Sequence, residues 1–251
     1  MLSDKQIEFY RENGYLLVPG VFSRHEAAAY REESHRMFGR LAGDAAEDRT
    51  WGSARELAGG RKTTIQGQHD VQFLAAAFTR LIVDERLTGP AAQLIGGQNV
   101  QLHHTKVFIK PPEQGSPFPM HQDHPYFPHH KHTVLAAIIH FDDAPEEKGC
   151  VRVVPGSHRL GPLAHDTTGS LHLPPDEYPI ESALPCPATA GDVLYFSYLT
   201  VHGSGVNTSD EARTTLLVQM RDPEDPPAND AHRSPGQGTM LRGIDPTVAR
   251  R

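Results

Sequence analysis

The strand-like runs that begin at Asn99 are not interleaved with helical ones, and this restricts the folds open to the chain more than any other feature. Gln101 to Lys110, Thr133 to Phe141, Val151 to Val154, Asp192 to Tyr198 and Arg213 to Met220 are apolar runs of strand length. They are separated by turn sequences such as Pro111-Pro112, Pro155-Gly156 and Gly203-Ser204-Gly205. Parallel strands need long, usually helical, crossovers, and no alternating β-α-β pattern is present. The expectation is a mainly β protein with an antiparallel barrel or jelly roll and helices packed outside it.

Those helices come first, over roughly residues 1–95. Ser3 precedes a helix from Asp4 to Asn13 that ends at Gly14, and Ser23-Arg24-His25-Glu26 is a capping box opening a helix through Arg40. Tyr15 to Val18, stopped by Pro19-Gly20, reads as a strand. Residues 42–69 read as a long loop, and Asp70 to Ile95 as two or three short helices interrupted at Gly89-Pro90. The β core runs over about 96–221, and the Pro-rich polar tail 222–251 is either a lid or loosely ordered. With no internal repeat and no linker, residues 1–251 read as a single domain.

A net charge of -7 leaves no basic stripe for phosphates, so a nucleic-acid partner is not expected. No apolar run approaches the roughly 20 residues of a membrane helix, and no secretory leader is evident at the N-terminus. Cys150 and Cys186 form no CxxC pair, which fits a cytoplasmic protein with two incidental thiols. Sixteen histidines make any one of them uninformative alone.

Spacing is what singles some of them out. In "MHQDHPYF", His121 and Asp123 fall on one side of an extended segment and Gln122 on the other, where its role is structural. A third ligand is best supplied by His202 in "TVHGSGVN", just after an apolar strand. Two histidines and a carboxylate on one face of a metal, with other positions open, characterise non-haem Fe(II) oxygenases. Farther on, Arg213, Thr215, Leu217 and Gln219 share one strand face, and the more apolar Thr214, Leu216, Val218 and Met220 share the other. An inward arginine needs an anionic partner, and a ligand carboxylate held by two hydrogen bonds would satisfy it. The alternative is a surface arginine paired with Asp210 or Glu211.

Taken together, His121-x-Asp123, His202, Ser204 two residues on and Arg213 eleven residues on resemble the phytanoyl-CoA dioxygenase family of Fe(II)/2-oxoglutarate oxygenases. The segments "KVFIKPPEQGSPFPMHQDHPYFP", "EEKGCVRVVPGSH", "GDVLYFSYLTVHGSGVNTSDEAR" and "FYRENGYLLVPGVFS" extend the resemblance over nearly the whole chain. It implies a double-stranded β-helix, a cupin-like jelly roll, with Fe(II) on His121, Asp123 and His202. It also implies 2-oxoglutarate as co-substrate, its far carboxylate on Arg213 and Ser204, with His104 or Lys106 on the preceding strand touching it as well. O2 would be consumed, and succinate and CO2 released as a C–H bond of a small-molecule substrate is oxidised. Retention of Asp123 argues against halogenation, since related halogenases replace that carboxylate.

Hydroxylation is the default outcome, while desaturation, epoxidation, epimerisation and ring closure stay open. A natural-product intermediate is favoured over an acyl-CoA because no basic cluster for the coenzyme phosphates is evident. Tyr126, Phe127, Gln219 and Trp51 are candidates for the substrate wall, Trp51 alternatively anchoring its loop. His129, His130 and His132 read as a solvated loop, His158 as a turn residue, and the neighbours His103 and His104 as facing opposite ways. A monomer is expected. The rival readings are a non-catalytic metal-binding jelly roll and a zinc hydrolase, for which no general base is evident beside the motif.

Overall fold

The computed structural model describes residues 1–41, 54–167 and 170–248; Trp51 lies outside the described residues. Ser3 caps helix α1 (Asp4–Asn13), which closes at Gly14 with φ 78°, its amide donating to the Tyr10 carbonyl. Only glycine fits there, because a Cβ would come within 2.3 Å of His158 Nδ1. His158 itself contacts the Arg11 carbonyl, so it ties a turn to the end of α1. Ser23 and Glu26 bond each other's amides at the start of α2 (Arg24–Leu41), as a capping box requires.

After α3 (Ala54–Leu57), two helices follow, α4 (Ala76–Ile82) and α5 (Glu85–Ile95). The break falls at Val83-Asp84, where the Asp84 side chain caps Arg86, and not at Gly89-Pro90. Pro90 stands inside α5 and forfeits one helix hydrogen bond. Leu87 through Ala92 are all buried, so packing maintains a helix that local propensity would interrupt.

In chain order the strands are β1 (Tyr15–Val18), β2 (Gln66–His69), β3 (Val100–Lys110), β4 (Phe118–His121), β5 (Leu135–His140), β6 (Val151–Val153), β7 (Leu184–Cys186), β8 (Val193–Ser197), β9 (His202–Ser204), β10 (Arg213–Arg221) and β11 (Met240–Arg242). The larger sheet has the order β1-β8-β5-β10-β3, with β2 and β11 both on the outer edge of β3; the smaller is β4-β9-β6-β7. All the ladders are antiparallel, giving a mainly β jelly roll. Strand β2 lies at the end of the expected loop 42–69; its sequence, Gln-Gly-Gln-His, has no apolar alternation and is extended because β3 offers it an edge.

Alternation on β10 divides the protein. Leu216, Val218 and Met220 join Phe22, Phe38, Phe78 and Leu87 in one apolar cluster between the sheet and the helices. Burial of each large side chain there stabilises the fold by roughly 1.5–3 kcal/mol. Leu217 turns the other way, onto Ala136, Phe196 and Val151 between the sheets. The tail is built into the fold. Buried Asp225 accepts from the Lys131 and Thr133 amides, and β11 extends β3. Among the described residues no helix is long and apolar enough to cross a membrane.

Candidate active site

Pairing of β4 with β9 sets His121 directly opposite His202. Asp123, two residues past His121, brings Oδ1 to 3.7 Å from His121 Nε2 and 3.8 Å from His202 Nε2. One ligand atom from each of the three lies within 4.8 Å of the others. In each histidine Nδ1 is held by a backbone carbonyl two residues earlier, Pro119 at 2.7 Å and Thr200 at 2.9 Å. A carbonyl requires a proton on Nδ1, so Nε2 is the nitrogen able to ligate a metal. Burial, then the adjacent His202 ring, hold His121 well below the usual histidine range and keep it neutral at pH 7.

The carboxylate is oriented as well. Gln219 Nε2 donates to Asp123 Oδ2 at 2.7 Å, which leaves Oδ1 facing the histidines. Gln122 points away from them, into packed protein and not into water: its amide donates to the Leu199 and Gly161 carbonyls and its Oε1 accepts from Leu163.

The three residues open onto a cavity of about 400 Å³. At one end stands Arg213, buried, with Nη1 donating to the Gly149 carbonyl and Nε without a partner. The surface pairing with Glu211 is not made; Lys148 takes that carboxylate. Beside Arg213 is a residue that sequence reasoning missed. Lys110 is its cross-strand partner on β3, fully buried, and donates to Ser204 Oγ at 2.7 Å and the Gly205 carbonyl at 2.6 Å. Burial, and after it Arg213, push Lys110 well below the usual lysine range, and burial brings Arg213 down to about 10. Among the described residues no carboxylate forms a salt bridge with either cation. A buried guanidinium with an orphaned N–H and a buried lysine amine beside it, which a bound anion would keep protonated, make this end a receptor for an anion.

His104, Lys106, Phe108 and Lys110 alternate along β3, and the first three line the cavity. Opposite them on β10 are Gln219, Leu217, Thr215 and Arg213 in turn. Lys106 therefore lies midway along the wall and His104 at the end away from Arg213. Parity alone could have flagged Lys110; the Pro111-Pro112 turn that follows it hid the signal. The expectation that His103 and His104 face opposite ways is not met. The register slips at His103, with Gln219 opposite His104 and Met220 opposite Leu102, and the two rings touch through Nδ1 atoms 2.7 Å apart. A β-bulge here breaks the alternation.

Tyr126 and Phe127 both line the cavity, Tyr126 with its hydroxyl on the Leu171 carbonyl. His69, Thr167, Leu171 and His232 complete its mouth, none of them evident from the sequence. His130 is exposed, but His129 is buried against the His103 ring, so it is not part of a solvated loop.

A profile of the phytanoyl-CoA dioxygenase family matches residues 10–215. The chain belongs to this family. Membership makes it a non-haem iron, 2-oxoglutarate-dependent dioxygenase. Among relatives, the probable alpha-ketoglutarate-dependent hypophosphite dioxygenase of Stutzerimonas stutzeri is 27% identical over 230 residues, 87% of this chain and 78% of its own. Two solved structures from nogalamycin biosynthesis are each 26% identical to this phytanoyl-CoA dioxygenase family member. The carbocyclase SnoK superposes with a TM-score of 0.75 over 95% of this chain and 93% of its own. The epimerase SnoN, in complex with Fe3+, alpha ketoglutarate and nogalamycin RO, superposes with a TM-score of 0.72 over 95% and 98%.

Proposed function

We propose that the chain acts as one domain, residues 1–251, which oxidises a C–H bond of a small natural-product intermediate with Fe(II), 2-oxoglutarate and O2. The observation that carries this is the pairing, in one cavity, of the His121, Asp123 and His202 ligand atoms with the buried guanidinium of Arg213, which has Lys110 beside it on the next strand. The donor set fits the metal. Two imidazoles with fixed tautomers and one oriented carboxylate occupy one side and leave the cavity side open. When bound, iron would activate O2, the oxidant, which takes two electrons from 2-oxoglutarate as it is cleaved to succinate and CO2 and two from the C–H bond of the substrate.

The chain's own residues bind and orient. Arg213 and Lys110 neutralise the far carboxylate of 2-oxoglutarate, and Ser204, its oxygen already accepting from Lys110, donates its hydroxyl proton to the same group. Lys106, nearer to Arg213 along the wall than His104, is the better placed of the two for the co-substrate, and His104 faces the mouth. Ile138, Leu217 and Phe196 keep water from the middle of the cavity. Tyr126 and Phe127 form the substrate wall, and Gln219 acts through Asp123 and not on substrate. The family's other substrate class, acyl thioesters, is disfavoured by a mouth whose lining among the described residues is histidines, Thr167 and apolar groups. The thiols of Cys150 and Cys186, both buried and unbridged, suit a cytoplasmic protein.

The test is anaerobic addition of Fe(II) and 2-oxoglutarate. A weak visible charge-transfer band is expected, lost in His121→Ala and in Asp123→Ala. Metal binding without that band would replace the oxygenase reading with a non-catalytic one.

A further inference from the structure

Beyond the His121, Asp123 and His202 set, a second group of metal-capable side chains converges in the described residues. His69 at the end of β2, His104 on β3 and His232 in the tail bring one ligand atom each within 4.8 Å of the others. We propose that these three histidines form a second metal site, which takes a divalent ion of the zinc type and clasps the C-terminal tail to the barrel across the cavity mouth.

The spacing suits this. Bonds of roughly 2.0–2.1 Å at a tetrahedral angle place ligand nitrogens about 3.4 Å apart. The rings approach at centroid separations of 5.7 Å (His69 and His104), 4.8 Å (His104 and His232) and 5.5 Å (His69 and His232). With the ligand atoms within 4.8 Å of one another, an inward shift of at most about 1.4 Å brings each pair to that spacing, more than the His121 set needs from its 3.7 and 3.8 Å separations. His232 belongs to an exposed stretch of tail that is able to make it.

The ligand chemistry distinguishes this site from the first. Three imidazoles with no carboxylate favour zinc, copper or nickel, and Fe(II) stands lower in the affinity order for such a set. The bulge contributes the partner that a ligating histidine requires. His104 Nδ1 lies 2.7 Å from His103 Nδ1, and binding of an ion at His104 Nε2 requires the proton shared by the two rings to sit on His104 Nδ1, with His103 Nδ1 accepting it. Without the slip in register, His103 would face the other side of the sheet.

The backbone places His232 deliberately. It has φ 51°, in the left-handed region, which histidine enters more often than most residues other than glycine. It stands between two anchored stretches: Ala228 donates to the Pro128 carbonyl at 2.8 Å on one side, and Ser234 bonds to Asp70 on the other. An ion there would join β2, β3 and the tail, three elements far apart in the chain, at the rim through which substrate enters.

The experiment uses the full chain with His121→Ala and His202→Ala, so that the first set is removed, titrated with Zn(II) and with Co(II) as a visible probe. About one equivalent is expected to bind, with Co(II) developing the absorption of a nitrogen-ligated ion. Adding His232→Ala should weaken binding at least tenfold and abolish the Zn(II)-dependent protection of residues 222–248 from limited proteolysis. No bound metal in a folded double variant, or equal affinity with and without His232, overturns the proposal. Should the double variant not fold, wild type and His232→Ala are compared: two equivalents of Co(II) against one support the site, and equal stoichiometry refutes it. The iron assignment fails separately, if the Fe(II) and 2-oxoglutarate band survives loss of His121 and His202.

Discussion

Gln219 holds one oxygen of Asp123 at 2.7 Å while the other oxygen faces both histidines, so a residue on the large sheet aims a ligand carried by the small one. Gln219→Leu removes that donor and leaves a carboxylate able to rotate. Partners of this kind are worth about 10–100-fold in metal affinity. The Fe(II) concentration needed for half-maximal succinate formation should rise by that factor, with an unchanged melting temperature showing that the barrel is intact. An unaltered Fe(II) dependence would mean that Asp123 needs no such support.

Lys110 and Arg213 should divide the 2-oxoglutarate affinity between them. Hydrogen bonds to charged groups contribute about 1.5–3 kcal/mol each. Lys110→Met and Arg213→Ala are each expected to raise the apparent dissociation constant of 2-oxoglutarate by at least about tenfold, while Fe(II) affinity changes little. Equilibrium titration of the charge-transfer band reads both. Equal weakening of metal and co-substrate would point instead to a collapsed site.

Gly149 seats both cations. Its carbonyl accepts from Arg213, and a Cβ on it would come within 2.4 Å of the Gly205 carbonyl oxygen, which accepts from Lys110. Its φ of 63° adds strain for any side chain. Gly149→Ala should therefore lower stability by roughly 1–3 kcal/mol and raise the KM for 2-oxoglutarate in the same variant. Denaturant melts and succinate kinetics test the two effects, and a stable variant with ordinary KM would contradict the assignment.

Acid should loosen the junction of α2 and α5. Hydrogen bonding to Arg86, together with that to Ser23, holds the Glu26 carboxyl at about 2, below its ordinary 4.5. A lowered folded value means that the stabilisation is complete above about pH 4.5 and fades as pH falls toward about 2. Glu26→Gln should lower the Tm at neutral pH and flatten its decline over that window, as followed by circular dichroism. Parallel Tm curves for variant and wild type would count against it.

Much of this arrangement was legible in residue order because period-2 alternation is a rule of the backbone itself. Arg213 and Gln219 inward with Leu216 and Val218 outward, and His121 with Asp123, follow from counting by twos. The exceptions have particular causes. Pro90 sits in a helix because the surrounding core holds it there, and β2 exists because a neighbouring edge recruits it. The contact of His103 with His104 comes from a bulge that no local pattern marks, and His232 arrives from a tail whose path is set by Asp225 and β11.

The cavity is assembled from two kinds of material. Its inner end is made of strand residues whose immediate neighbours form the hydrophobic core, so Arg213, Thr215 and Leu217 can hardly be moved without unsettling the helices behind them. Its outer end comes from Tyr126, Phe127, Thr167, Leu171 and His232, on connections and the tail. Selection can thus rewrite what enters such a barrel while the reagent that acts on it stays fixed. Two proteins that share this frame, a carbocyclase and an epimerase, carry out different reactions.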